Sequence, residues 1–134
     1  MVEGLITQRS NHTAKETADR LARKIGDKGV TVVARIDHAA AAAKVGLELR
    51  PTEVLIFGNP NVGTHLMQQE QLIGLELPAK VLVWEDDKNV TWLTYQDMEW
   101  LANRYGIAST VRPTVEKLSS LLRLVVDEAA SKGD

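Results

Sequence analysis

The sequence predicts an α+β fold: a two-layer sandwich in which a mostly antiparallel sheet has helices packed on one face. Three observations predict it. Strand-like and helix-like periodicities interleave through the first half of the 134 residues. Two β-rich runs then flank a polar four-residue turn, Asp86-Asp87-Lys88-Asn89, which reads as an antiparallel hairpin. A long amphipathic stretch closes the chain. A hairpin is incompatible with an all-parallel sheet, so a doubly wound α/β fold is the weaker reading.

The elements follow in order. A short apolar segment, about Val2 to Gln8, predicts a strand. Thr13 followed by Glu16 forms a capping-box pattern, and Ala14, Ala18, Leu21 and Ile25 then share one helical face. On the other face Glu16–Arg20 and Asp19–Arg23 have the spacing of ion pairs, and Gly26 or Gly29 ends the helix. Val30, Val32, Ala34 and Ile36 alternate as one side of a strand. Ala39 to Ala43 favour helix because alanine loses no side-chain entropy, with Gly46 as the stop. Val54-Leu55-Ile56-Phe57 is apolar without interruption, the pattern of a strand that is central or covered on both faces.

Gly58-Asn59-Pro60 breaks that strand, and Asn61 to about Gln71 predicts a short helix with Leu66 and Met67 directed inward. Gly74 and Pro78 bound a connection into the hairpin, Val81–Glu85 and Val90–Thr94. Thr94 with Asp97 suggests a cap for a helix from about Gln96 to Arg104, closed by Gly106. Pro113 sits where a helix start tolerates it, and Val115, Leu118, Leu122, Val125 and Ala129 follow at helical spacing. This C-terminal helix, about 113–131, is expected to pack on the sheet or to pair with a second subunit. With no linker, repeat or charge block, residues 1–134 read as a single domain.

Composition excludes several chemistries. Apolar residues at 44% and charged residues at 25% suit a globular chain, and a net charge of −2 offers no broad basic surface for nucleic acid. The absence of cysteine rules out disulfides, thiolate metal sites and cysteine nucleophiles. No basic region followed by an apolar run opens the sequence, and no window reaches the roughly 18 apolar residues of a membrane helix. A cytoplasmic location is the default, with neither nucleic acid nor membrane as partner.

Candidate chemistry is confined to a few places. His38 ends a strand before the alanine-rich helix, from where a side chain reaches a cleft; its plain alternative is a helix-start residue. His12 precedes a helix cap and reads as a surface residue. His65 lies 27 residues beyond His38, a separation that specifies no metal-ligand spacing, so no metal site is assigned. Phe57-Gly58-Asn59-Pro60-Asn61-Val62-Gly63-Thr64 is the most distinctive run. Its glycines permit close backbone approach, and the following helix start suits a small anionic ligand; otherwise it is a tight strand-to-helix connection. It lacks the endings of the familiar nucleotide loops. Trp84 and Trp92 fall opposite each other as a packing pair, and Glu85-Asp86-Asp87 as a solvated turn.

Several of these segments together resemble the domain-of-unknown-function 302 family. They include Ala34-Arg35-Ile36-Asp37-His38, Leu55-Ile56-Phe57-Gly58-Asn59-Pro60, Gly63-Thr64 with Leu66-Met67, Gly74-Leu75-Glu76-Leu77-Pro78, Val81-Leu82-Val83-Trp84-Glu85, Thr94-Tyr95 and Arg104-Tyr105-Gly106. Their order resembles the family over about residues 2–107. The resemblance implies a small α+β domain that associates as a homodimer, with no activity to transfer. His65 stands where the family commonly has proline, and Glu76 where aspartate is usual, which leaves His38, Asn59 and Thr64 as the candidate ligand-binding residues.

The leading functional expectation is a non-catalytic ligand-binding or sensing domain, homodimeric, with its cleft near His38 and the Asn59–Thr64 turn. One alternative is a small hydrolase or isomerase using His38 as general base. Another is a structural module that associates through its C-terminal helix. No cofactor is specified by the sequence.

Overall fold

The computed structural model describes residues 2–133. Five strands, β1 (Leu5–Arg9), β2 (Thr31–Asp37), β3 (Thr52–Gly58), β4 (Ala79–Glu85) and β5 (Thr91–Gln96), form one sheet in the order β1-β5-β4-β3-β2. All four pairings are antiparallel. Helices α1 (Ala14–Asp27), α2 (His38–Lys44), α3 (Pro60–Gln69), α4 (Met98–Arg104) and α5 (Arg112–Ala130) complete the chain, with a 3-10 turn at Gln71–Leu75. The α+β sandwich with helices on one face is the observed architecture.

Register decides which side chains meet the helices. Leu55 faces Val81 and Phe57 faces Ala79 across β3 and β4, while Val81 and Val83 face Tyr95 and Leu93 across β4 and β5. These side chains are buried, Leu55, Phe57, Val81 and Leu93 completely. Against them lie Leu21 and Ile25 of α1 and Leu122, Val125 and Val126 of α5. Burial of each large side chain contributes about 1.5–3 kcal/mol, so this layer is the main source of stability.

Helix boundaries follow local chemistry. The Thr13 side chain accepts the Glu16 amide at the start of α1, and Gly29 takes the left-handed conformation beyond its end. Asp97, not Thr94, caps α4, accepting the amides of Glu99 and Trp100. The apolar stripe of α5 is spent inside its own chain, as Val115, Leu118, Leu122, Val125 and Ala129 are all buried.

Three local expectations change. A β-bulge between Val32 and Ala34 breaks the alternation of β2: Val32 opposes Phe57 on the helix side, whereas Ala34 and Ile36 oppose Ile56 and Val54 on the other. The extra residue, Val33, is 62% exposed. Arg20 does not pair with Glu16. It is buried, and its guanidinium donates to the carbonyls of Ala129 (3.0 Å) and Glu128 (2.9 Å) at the end of α5, where a cation complements the helix dipole. Asp19 accordingly accepts from Lys15 and Arg35.

Candidate ligand-binding site

Where β3 ends, Asn59 turns the chain into α3. Its side-chain oxygen accepts the Asn61 amide at 2.9 Å and its carbonyl accepts the amides of Val62 and Gly63, while Pro60 at the first helical turn has no N–H to satisfy. The free donors of this helix start are therefore taken up by the turn itself. That removes the physical basis for binding an anion there.

The turn instead forms one wall of a cavity of about 270 Å³. Val33 from the β2 bulge, Val62 and Met67 of α3, Leu77, Pro78 and Leu118 of α5 supply its apolar lining. Asn59 and Thr64 are its polar members, and no lining residue carries a charge. Close approach shapes it. A Cβ on Gly58 would stand 3.2 Å from Cβ of Pro78, and one on Gly74 would stand 3.1 Å from Sδ of Met67, so glycine at these points lets the segment through Pro78 close over the strand end. The Leu77–Pro78 peptide bond in this segment is cis.

A polar cluster anchors the same segment from its other side. The Glu76 carboxylate accepts from the Tyr105 hydroxyl at 2.7 Å and from the Gln96 amide at 3.0 Å, and Lys80 donates its ammonium to the Glu76 carbonyl at 2.7 Å. The Tyr105 hydrogen bond, with that of Gln96, holds the Glu76 carboxyl below the usual carboxylate range. Burial lowers the Lys80 ammonium from its ordinary value. These contacts tie the cavity wall to β5 and to the end of α4.

Of the residues singled out in the sequence, Asn59 and Thr64 meet at the cavity. His38 does not join them. It opens α2, is exposed, and lies outside the cavity lining. His65 is exposed as well and lines, with Lys117, a neighbouring depression of about 270 Å³ that shares Asn59 and Val62 with the cavity. His12 is partly buried, its ring bonded to the Glu16 carboxylate and to the Ser131 carbonyl. Met67, expected to point into the core, lies half-exposed at the cavity, and Leu66 alone of that pair is buried. Among the described residues, no group of three or more His, Asp or Glu is placed to hold a metal ion.

A larger depression of about 530 Å³ lies between the start of α1 and α2, lined by Arg35, Asp37 and Glu53 among others. Arg35 is already committed there, donating to Glu53 at 2.8 Å and to Asp19 at 3.1 Å. Its guanidinium is raised above its ordinary pKa, chiefly by the Glu53 hydrogen bond. The arrangement is an ion-pair network that fastens β2 to α1 and β3.

The family model described as Domain of unknown function DUF302 matches residues 6–125, running into α5 and so further than the stretch of about 2–107 whose motifs carry the resemblance. Over 110 residues the chain is 48% identical to the fluoride-specific ion channel FluC 1 of Brucella suis biovar 1 and to that of Brucella abortus biovar 1. The aligned part is 81% of this chain but 43% and 41% of those proteins, so the chain spans less than half the length of these relatives. A crystal structure of an uncharacterized conserved DUF302 protein from Bacillus stearothermophilus superposes with a TM-score of 0.83 at 18% identity, covering 96% of this chain and 99% of that one. At that identity the likeness establishes the fold.

Proposed function

The chain belongs to the family of Domain of unknown function DUF302, and from that premise we propose that it is a small non-catalytic ligand-binding or sensing domain, acting as a homodimer in the cytoplasm. The observation that carries the reading is the charge-free, mainly apolar cavity at the end of β3, with Asn59 and Thr64 as its polar members. Ligand sites have this composition: an apolar body of wall with few polar groups that orient the guest. The ligand it fits is small, uncharged and largely hydrocarbon, with one polar group. An anion is the poorer fit, because the amides at the start of α3 are satisfied and no cation lines the wall.

A hydrolase or isomerase reading built on His38 has less support, since that residue is exposed and outside the cavity. The channel activity in the names of the Brucella proteins is not part of the proposal. Among the described residues, no helix is long and apolar enough to cross a membrane.

The test is fluorescence titration with the uncharged probe N-phenyl-1-naphthylamine. A Cβ at Gly63 would sit in van der Waals contact with the Leu77 and Met67 side chains of the cavity wall, 3.7 and 3.8 Å away, so Gly63→Leu obstructs the cavity without removing a buried side chain. Wild type should bind the probe, and Gly63→Leu should bind at least about tenfold more weakly, the effect of about 1.4 kcal/mol. Equal binding by the two proteins would remove the cavity as the site.

A further inference from the structure

The helical layer ends short of the β1 edge of the sheet. Ile6 stands opposite Tyr95 in the register of β1 and β5, yet Ile6 is 40% exposed while Tyr95 is buried at 6%. Between these two residues, the start of α4 and the middle of α5 lies a cavity of about 340 Å³. It shares no lining residue with the cavity at the end of β3.

The polar groups of this cavity are unspent. Ser119 Oγ is shut off from solvent without a hydrogen-bond partner, the sole such side-chain atom among the described residues. Tyr95 keeps its ring in the core, and its hydroxyl makes no hydrogen bond to any described residue. Arg123, one helical turn after Ser119 on α5, has neither a hydrogen bond nor an ion pair among the described residues. Two carboxylates join from the start of α4. Asp97 spends Oδ1 on the amides of Glu99 and Trp100, which leaves its Oδ2 and the Glu99 carboxylate without a donor among the described residues.

These charges act on one point. Burial raises the pKa of the Tyr95 phenol most, Asp127 adds to the rise, Arg123 opposes it and Asp97 adds again. Arg123 and Asp97 therefore both lie within electrostatic reach of the hydroxyl.

A buried hydroxyl without a partner destabilises a fold, and native structures keep few of them unless water or a guest completes the bond. Here two such hydroxyls line one cavity, and each can donate or accept. Arg123 can only donate and the carboxylates only accept. A lone anion would meet Asp97 and Glu99, and a lone cation would meet Arg123. A molecule that carries both charges satisfies both. Ile6 and Leu122 add apolar surface to the same wall.

We infer that this cavity is a second binding site, for a small zwitterion of the class of the aliphatic α-amino acids. The Arg123 fork holds the carboxylate, in the geometry guanidinium groups favour, and the Tyr95 and Ser119 hydroxyls complete its hydrogen bonds. Asp97 Oδ2 and Glu99 take the ammonium, and the side chain rests on Ile6 and Leu122.

The experiment is equilibrium dialysis of radiolabelled L-leucine against the whole chain. Wild type should bind it saturably, with a dissociation constant of about 1 mM or below. As competitors, 3-methylbutylamine and 4-methylpentanoate, which lack the carboxylate and the ammonium respectively, should each be at least about tenfold weaker, as a polar site rejects an analogue missing one group. Tyr95→Phe and Ser119→Ala should each weaken L-leucine about tenfold. Neither removes a hydrogen bond within the chain, so both variants should fold as wild type does. Arg123→Met should bring L-leucine down to the level of 3-methylbutylamine. L-leucine should also leave bound N-phenyl-1-naphthylamine in place, since the two cavities have separate walls. Absence of saturable L-leucine binding overturns the inference and leaves water as the partner of the two hydroxyls. An analogue that binds as tightly as L-leucine overturns it as well, as does wild-type affinity in both Tyr95→Phe and Ser119→Ala.

Discussion

The two faces of the sheet are made by the same strands, one residue apart, yet they differ in what holds them. Phe57 is buried in the helical layer with no exposed surface, while its neighbour Ile56 looks out half-buried opposite Lys80. The first face explains why the domain folds. The second carries Val54, Ile56, Leu82, Trp84 and Trp92 at its outward positions and is only partly covered. Hydrophobicity in a strand therefore reports the number of covers it receives, and does not say whether each cover belongs to its own chain.

Substitution of the adjacent pair tests that difference most directly. Phe57→Ala should cost about 3–5 kcal/mol, because it removes a fully buried ring and leaves a cavity. Ile56→Ala should cost only about 1 kcal/mol when both are measured by urea unfolding. Similar costs for the two substitutions would erase the distinction between the faces.

The covered face also depends on a contact between its two covering helices. Arg20 of α1 carries its guanidinium to the carbonyls of Ala129, Glu128 and Ser131 at the end of α5. Arg20→Met keeps the apolar stem but leaves those acceptors without their charged donor, and should cost about 2–3 kcal/mol. Amide exchange should quicken along the last turn of α5 while β3 and β4 stay protected. Uniform acceleration across the sheet would instead mean that α5 is not anchored locally by this residue.

These residues show why the sequence was legible in part. Local rules found the Thr13 cap, the Trp84–Trp92 hairpin and the Asn59 turn, because each is decided within a few residues. Helical spacing placed Arg20 beside Glu16, but its long side chain is captured by carbonyls 108 and 109 positions away, a non-local event with no periodic trace. The bulge at Val33 is similarly silent, since Val32-Val33-Ala34 reads as ordinary strand. It inverted the faces assigned to Val30 and Val32 relative to Ala34 and Ile36. The cavity was half visible: Asn59 and Thr64 mark the turn, while Leu77, Pro78 and Leu118 arrive from elsewhere in the chain. His38 looked suited to a cleft from its place at a strand end, and the helix it opens carries it away from this one.

The smallest expected effect lies where the two faces meet, at Glu76. Its carboxylate takes one hydrogen bond from Gln96, an outward residue of β5, and one from Tyr105 after α4. Those bonds lower its pKa in the folded chain, the Tyr105 hydroxyl most. A carboxylate depressed on folding contributes stability that is present above its unfolded pKa and disappears as pH falls through the folded value. Glu76→Gln should therefore cost about 1 kcal/mol at neutral pH, given its partial exposure. The gap from wild type should narrow once the pH drops below the ordinary glutamate range. Paired urea titrations at neutral and acidic pH measure it. A gap that is constant across that range would show that the charge on Glu76 does no more than an uncharged amide would, and that the edge between the faces is held by packing of Leu77 and Pro78 against the strand end.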